Sequence, residues 1–205
     1  MNIFLKLLVP TLFVFTSACM GVGKFEIVEL DSRFEVNGAR FVSGKNNRIS
    51  TKSIAGGFHI DSKGVFVNPV MGVSADSTQS SLALNISNFT EFDTKYGAPN
   101  TLGQLRSITF LVNSETPIQL DITDAQRRSA DLATYNQVSQ SASRDIVEVG
   151  TAKITPNWYY KIAYAQSVAV KIIGSKRSVV YEAEEISPDF LANLRQFYEL
   201  HISQT

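Results

Sequence analysis

The chain has 205 residues, and its 19 basic side chains are balanced by 19 acidic ones. A nucleic-acid-binding surface needs a concentrated basic patch, and the Lys and Arg residues here are scattered, so we expect no nucleic-acid partner. A single cysteine cannot form an internal disulfide, so the fold must depend on a hydrophobic core, for which the length is sufficient.

Residues 1–18 have the pattern of an export signal. Lys6 is the only charged side chain in this segment, residues 3–15 are almost entirely apolar, and three small residues precede Cys19. A basic start, an apolar stretch and a small-residue cleavage site are typical of a secretory signal. The apolar run contains Pro10 and is shorter than the roughly 20 residues that a transmembrane helix needs.

The end of this segment, Thr16-Ser17-Ala18-Cys19, resembles the lipobox of bacterial lipoproteins, although that family usually has Leu where this chain has Thr16. The resemblance implies that Cys19 is acylated, becomes the mature N-terminus and anchors the protein to a membrane of the cell envelope. Met20 replaces the Asp that often retains such proteins at the inner membrane, which favours the outer membrane in a cell with two. Ordinary cleavage after Ala18 and retention of an uncleaved anchor are the alternatives.

The remaining sequence is organised as a short tether and a folded part. We predict a signal peptide over 1–18, a lipidated tether over 19–23 and a single domain over 24–205. Val, Ile, Phe and Tyr are frequent, with Ser, Thr and Asn between them, and this composition favours strands. The brief tether places the domain close to the membrane.

Strands are predicted where apolar and polar residues alternate. They cover residues 24–30, 33–41, 57–60, 64–67, 81–87, 107–112, 117–122, 144–154, 168–173 and 178–184. The short intervals within three pairs predict hairpins, namely 57–60 with 64–67, 107–112 with 117–122, and 168–173 with 178–184.

Residues 123–143 form the most polar stretch of the chain. A helix is predicted to begin at Asp124 and to reach residue 132, and residues 137–143 are predicted to be an exposed loop. Arg127 and Arg128 are candidates for binding an anionic headgroup or a peptide carboxylate. A solvated surface is the alternative interpretation of two adjacent arginines.

Two helices are predicted near the C-terminus, and each begins with a capping residue followed by proline. Thr155-Pro156 begins the first, in which Trp158, Ile162 and Ala165 share one face. Ser187-Pro188 begins the second, which has a single apolar stripe and should lie across one face of a sheet. The predicted fold class is therefore α+β, with a mostly antiparallel sheet and two helices near the C-terminus.

No catalytic chemistry is evident in the sequence. It has no nucleophile elbow, no paired zinc-binding histidines and no phosphate-binding glycine loop. We interpret His59 and His201 as structural, and thiolate ligation of a metal is excluded because Cys19 is used by the anchor. We therefore predict no catalytic residue, no cofactor and no metal site.

The aromatic run Trp158-Tyr159-Tyr160 is the local enrichment that most suggests a binding surface, because Trp and Tyr are over-represented at binding hot spots. The alternative is that Trp158 packs under the sheet while a tyrosine covers its edge. The first functional hypothesis is a non-enzymatic envelope lipoprotein that acts through protein or glycan contacts. The others are a binder of a small apolar ligand between the sheet and the last helix, and a hydrolase whose site is assembled from distant residues.

Overall fold

Long antiparallel strands dominate the folded part of this chain. The structure, a computed structural model, describes residues 23–30, 40–58, 62–74, 80–130 and 133–203. The strands are β1 (Glu26–Leu30), β2 (Arg40–Lys45), β3 (Gly64–Val73), β4 (Ser80–Asp93), β5 (Leu105–Val112), β6 (Ile118–Asp121), β7 (Thr123–Ser129), β8 (Thr134–Asn136), β9 (Ser141–Lys153), β10 (Val168–Gly174) and β11 (Ser178–Tyr181). The helices are α1 (Pro156–Ala163) and α2 (Pro188–Phe197), and α2 continues into a π-helical turn, Tyr198–Ile202.

Within the described ranges the strands form two sheets, and every strand pairing is antiparallel. The larger sheet has seven strands in the order β1-β2-β3-β4-β9-β7, with β8 also paired to β9. The smaller sheet has four strands in the order β11-β10-β5-β6. One hydrophobic cluster includes residues of both sheets and both helices. This architecture confirms the predicted α+β class with two helices near the C-terminus.

Strict alternation produced the accurate strand predictions. In β4, Leu84 and Ile86 are buried with Leu82 partly buried beside them, as their shared face predicted. The hairpins β5–β6 and β10–β11 form as expected. β4 continues to Asp93, however, although apolar and polar residues do not alternate regularly after residue 87. Since both of its edges are paired, with β3 and with β9, backbone hydrogen bonds sustain the strand where the alternation fades.

The predicted hairpin of 57–60 with 64–67 is wrong in its described part. Phe58 forms an isolated bridge with Lys52, and residues 64–67 pair instead with β4. The helix predicted from Asp124 is also wrong, because the segment forms strand β7 beside β9. The predicted exposed loop at 137–143 is a turn over 137–140, after which β9 begins at Ser141.

Helix α2 packs against the segment that follows β2 and contributes to the core. Phe190, Leu194 and Phe197 are completely or almost completely buried, as their helical spacing predicted. The side chain of Asn193 donates a hydrogen bond to Asn47 Oδ1 at 3.0 Å, and the Ser187 amide donates to the Ile49 carbonyl at 2.8 Å. These contacts fix the last helix against the larger sheet.

The signal segment, Cys19 and most of the tether lie outside the described residues, as do His59 and the greater part of the predicted strand 33–41. Among the helices that the structure describes, none has the length and the apolar content needed to cross a membrane.

Candidate functional site

The orientation of helix α1 determines which aromatic side chains face water. Thr155 caps the helix by accepting a hydrogen bond from the Trp158 amide at 3.3 Å, and proline occupies the first turn, as predicted. Tyr159, Ile162 and Ala163 are buried, at the i, i+3, i+4 spacing of one helical face. The prediction that Trp158 belongs to this buried face is wrong by one residue, since 40% of its surface is exposed.

Tyr159 is a structural residue and does not belong to the exposed surface. Its hydroxyl donates a hydrogen bond to the Leu194 carbonyl at 3.0 Å, which ties α1 to α2. Burial raises the pKa of this hydroxyl well above its ordinary value of 10.0, so it remains protonated and continues to donate. Of the three aromatic residues predicted to form a binding surface, Tyr159 is therefore buried in the core, and Trp158 and Tyr160 are the exposed ones.

The outward face of α1 carries a set of exposed rings. Tyr160 and Tyr164 are 46% and 36% exposed, and their rings stack with centroids 4.6 Å apart. The Tyr164 hydroxyl donates to Glu199 at 2.9 Å, and the Arg195 guanidinium lies 5.1 Å from the centre of the same ring. Burial, followed by this contact with Glu199, raises the pKa of Tyr164. Tyr164 is thus held in place, and Tyr160 rests against it.

A groove separates this face of α1 from the loop between β5 and β6. The cavity has a volume of about 760 Å³, within the range of known small-molecule sites. We call it the aromatic groove. On the helix side it is lined by Trp158, Tyr160, Lys161 and Tyr164. The facing wall consists chiefly of Glu115, Thr116 and Pro117 in the loop and Gln119 near the start of β6.

The loop wall of the aromatic groove is held in one conformation by a tight turn. Asn113 and Ser114 both have positive φ, of 50° and 60°, and the Glu115 amide donates to the Val112 carbonyl at 2.9 Å. Asn113 Oδ1 also accepts hydrogen bonds from the amides of Gln166 and Ser167, at 3.0 and 3.1 Å. Because those two residues follow α1, this side chain fixes the distance between the two walls.

The polar groups of the groove are varied and carry no net charge. Glu115 is an acidic residue and Lys161 a basic one, while Thr116 and Gln119 are neutral. Within the described part of the chain, none of these four side chains has a hydrogen-bond or ion-pair partner. They are available to a ligand, together with the exposed faces of Trp158 and Tyr160.

The structure places Arg127 and Arg128 on strand β7, away from the aromatic groove. Arg127 Nε lies 3.7 Å from Glu148 Oε1, and Arg128 donates a hydrogen bond to Gln126 at 2.7 Å. Both arginines are exposed, but they contact residues of the protein itself. The structure therefore does not bring them together with the aromatic run.

Glu148 is a buried charged residue that sequence reasoning missed. It has no exposed surface, and its two oxygens accept hydrogen bonds from the amides of Leu102 and Gly103 at 2.8 and 2.7 Å and from the Asn88 side chain at 2.9 Å. The signal was present in the strand pattern: Glu148 has the same parity in β9 as the buried residues Ile146 and Ala152. Its partners indicate a structural clamp on the segment that enters β5.

His201 lies in the π-helical turn after α2, as its position near the C-terminus predicted, and its ring centre is 5.2 Å from that of Phe197. Among the described residues, no three His, Cys, Asp or Glu side chains are grouped closely enough to hold a metal ion.

Comparisons with known proteins do not assign the chain to a family. No family model matches it, no curated protein is significantly similar to it, and no solved structure matches its fold.

Proposed function

We propose that this chain is a membrane-anchored envelope lipoprotein that acts as a non-enzymatic binding module. Acylated Cys19 holds it to the membrane, and the aromatic groove contacts an envelope protein or glycan. The observation that carries the proposal is the pair of half-exposed rings, Trp158 and Tyr160, facing a preformed wall across an open cavity. Large aromatic surfaces left open to water at a concave site are typical of binding hot spots.

The composition of the groove favours binding over catalysis. Hydrolysis by paired carboxylates needs two acidic groups on opposite sides of the bond, and Glu115 is the single carboxylate among the described residues that line the cavity. The same lining has no His or Cys that could act as a general base or a nucleophile. A hydrolase remains the less favoured hypothesis for this reason.

The hypothesis of a small apolar ligand under the last helix has weaker support. Phe190, Leu194 and Phe197, which would have lined such a cavity, are at most 1% exposed and belong to the hydrophobic cluster. Tyr159 also closes this region, with its ring 6.4 Å from that of Phe197. Dense packing leaves little room for a ligand between α2 and the sheet.

The anchor is tested by the intact mass of the protein extracted from membranes, with wild type beside Cys19→Ala. We expect an added mass of acyl chains on the wild type, since several chains are needed for firm attachment, and loss of that mass in the variant. An unmodified wild-type protein recovered outside the membrane fraction would contradict the anchor.

The groove is tested by photo-crosslinking in living cells, with a benzophenone amino acid at position 119 of the full chain. Benzophenone inserts into C–H bonds, so it captures either a protein or a glycan. We expect an adduct at this position that disappears when Trp158→Ala is introduced. The matched control carries the same amino acid at position 135, where Tyr135 is 62% exposed on β8 and outside the groove.

Equal adducts at positions 119 and 135, or an adduct at 119 that persists in Trp158→Ala, would show that the groove is not the binding surface. The circular dichroism spectrum of Trp158→Ala should match that of the wild type, since half-exposed Trp158 lies outside the hydrophobic cluster.

A further inference from the structure

We propose that the occupant of the aromatic groove is an uncharged oligosaccharide, an inference that rests on the proposed function and names its ligand class. A sugar ring presents an apolar face of C–H groups and a rim of hydroxyls. The groove offers the complement of both, with aromatic faces on α1 and polar side chains on the facing loop.

The aromatic side chains supply the apolar contact. Trp158 and Tyr160 each expose close to half of their surface. The face of an aromatic ring is electron-rich, so it attracts the slightly positive C–H groups of a sugar as well as burying them. Tyr160 stacks on Tyr164, which donates a hydrogen bond to Glu199 and lies under the Arg195 guanidinium, so these rings are held in place before a ligand arrives.

The polar side chains require a ligand that both donates and accepts hydrogen bonds. Glu115 can only accept when ionised, Lys161 can only donate, and Thr116 and Gln119 do both. Each hydroxyl of a sugar is a donor and an acceptor, so it can satisfy any of the four. A proline-rich peptide also docks on aromatic grooves, but its backbone has carbonyl acceptors and few N–H donors, and it would leave Glu115 unpaired.

The balanced charge of the groove does not match a polyanionic ligand. One acidic and one basic side chain, Glu115 and Lys161, line the cavity together with neutral groups. A phosphorylated or polyanionic ligand is recognised by clusters of Arg and Lys, and Arg127 and Arg128 lie elsewhere, on β7. The hydroxyls of an uncharged sugar can donate to the Glu115 carboxylate and accept from the Lys161 ammonium, so both charged groups gain a partner.

The chain carries its own reporter for this test. Trp158 is the single tryptophan in the sequence and lies in the groove. A sugar stacked on the indole displaces water from it and should shift its emission to shorter wavelength. We would titrate the full-length protein in a zwitterionic detergent, because a glycoside detergent would compete for the site.

Three saccharide samples serve as ligands: the β-1,4-linked tetramer of N-acetylglucosamine, maltotetraose, and the neutral oligosaccharides released from the cell's own envelope. We expect a saturable shift with at least one. Tyr160→Ala and Thr116→Ala should each weaken the affinity roughly tenfold, the effect of losing one hot-spot contact, whereas Tyr135→Ala, outside the groove, should leave it unchanged.

No shift with any of the three samples, or equal weakening by Tyr135→Ala, overturns the inference. A saturable shift with a proline decamer and none with saccharides overturns it in favour of a peptide ligand. If the Trp158-dependent crosslink at position 119 is retained while saccharides fail to bind, the ligand class is wrong and the proposed function stands. If neither the Trp158-dependent crosslink nor saccharide binding is observed, the proposed function itself is contradicted.

Discussion

Glu148 shows how a single buried charge holds the segment that enters β5 against the middle of β4 and β9. It lies on β9 with no exposed surface, yet its oxygens accept from two backbone amides and from Asn88. Taking a carboxylate out of water is costly unless donors replace the lost hydration. Arg127, 3.7 Å away and partly exposed, supplies the compensating positive charge. The clamp therefore depends on the negative charge as well as on the shape of the side chain.

We expect Glu148→Gln to lower the free energy of unfolding by about 3 kcal/mol, because the new amide group turns donors toward the amides of Leu102 or Gly103. Urea unfolding followed by circular dichroism measures this. Glu184→Gln, an exposed acidic position next to α2, is the matched control and should change the stability by less than about 0.5 kcal/mol. Equal effects at both positions would contradict the clamp.

His201 gives the stability of the protein a dependence on pH near neutrality. Burial lowers the pKa of its imidazole below the ordinary 6.5, against the opposing effect of Glu29, and Arg40 lowers it further. The unfolded chain therefore binds the proton more readily than the folded chain. The stability that neutral His201 contributes is complete above pH 6.5 and is lost as the pH falls through the folded pKa.

We expect the free energy of unfolding to decrease between about pH 7.5 and about pH 5, and to decrease less in His201→Gln. Asp93→Asn distinguishes this effect from acid unfolding in general. A hydrogen bond from Ser141, with the amides of Lys95 and Tyr96, lowers the pKa of Asp93 below its ordinary 3.8, so its contribution is lost only in more acidic solution. If the free energy of unfolding depends on pH near neutrality as strongly in His201→Gln as in the wild type, His201 is not the group responsible.

Individual strands and helices could be predicted from the sequence where the local pattern agreed with the surroundings. In β7 it did not. Ala125, Gln126 and Arg127 are acceptable helix formers. As a strand, however, the segment forms backbone hydrogen bonds with the edge of β9, and a helix could not satisfy those backbone groups of β9. Asp124 has a φ of 53°, and the register shifts there, so a bulge interrupts the pattern that would have indicated a strand.

The candidate site was only half predictable for a different reason. The aromatic run and the β5–β6 hairpin were both identified, but the groove exists because the hairpin loop lies beside a helix some 45 residues further along the chain, and no local pattern encodes that proximity. The phase of α1 was also misjudged by one residue. Trp158 is a large apolar residue, so the sequence favoured it for the buried face of α1. The buried face contains Tyr159 instead.

The turn that fixes the groove wall makes a paired prediction possible. Asn113→Gly retains the positive φ but loses the acceptor for the amides of Gln166 and Ser167, so we expect a loss of about 1–2 kcal/mol in stability. Ser114→Gly relieves a φ of 60° without removing the Asn113 acceptor, and should leave the stability unchanged or raise it slightly. Thermal unfolding compares the two variants. An equal loss of stability in both would contradict the role given to the Asn113 side chain.

At the scale of the whole molecule, the segment between β4 and β5 connects the two sheets. Leu102 donates to Glu148 in the larger sheet, and its carbonyl accepts from the Lys176 amide in the β10–β11 hairpin of the smaller one. The Ser175 amide donates to the Gln104 carbonyl at 2.8 Å. Gly174 allows this approach, because a Cβ there would overlap the backbone of Leu102.

We expect Gly174→Ala to destabilise the protein by about 3 kcal/mol, at the upper end of what overpacking costs. Gly97→Ala is the control: its φ is 72° but nothing lies within 4 Å of a new Cβ, so only backbone strain of about 1 kcal/mol applies. Urea unfolding ranks the two. A smaller effect at Gly174 than at Gly97 would mean that the two sheets can separate slightly without cost.

The bulged edge strand β7 has a consequence for how copies of this protein coexist. The membrane anchor that we propose would confine many copies to a plane, where open sheet edges can meet and pair into aggregates. Two molecules that met β7 to β7 would bring Arg127 and Arg128 against their own counterparts, and the bulge at Asp124 would interrupt the shared ladder. We therefore expect the two arginines to oppose pairing of copies through this edge, in addition to the ion pair that Arg127 makes with Glu148.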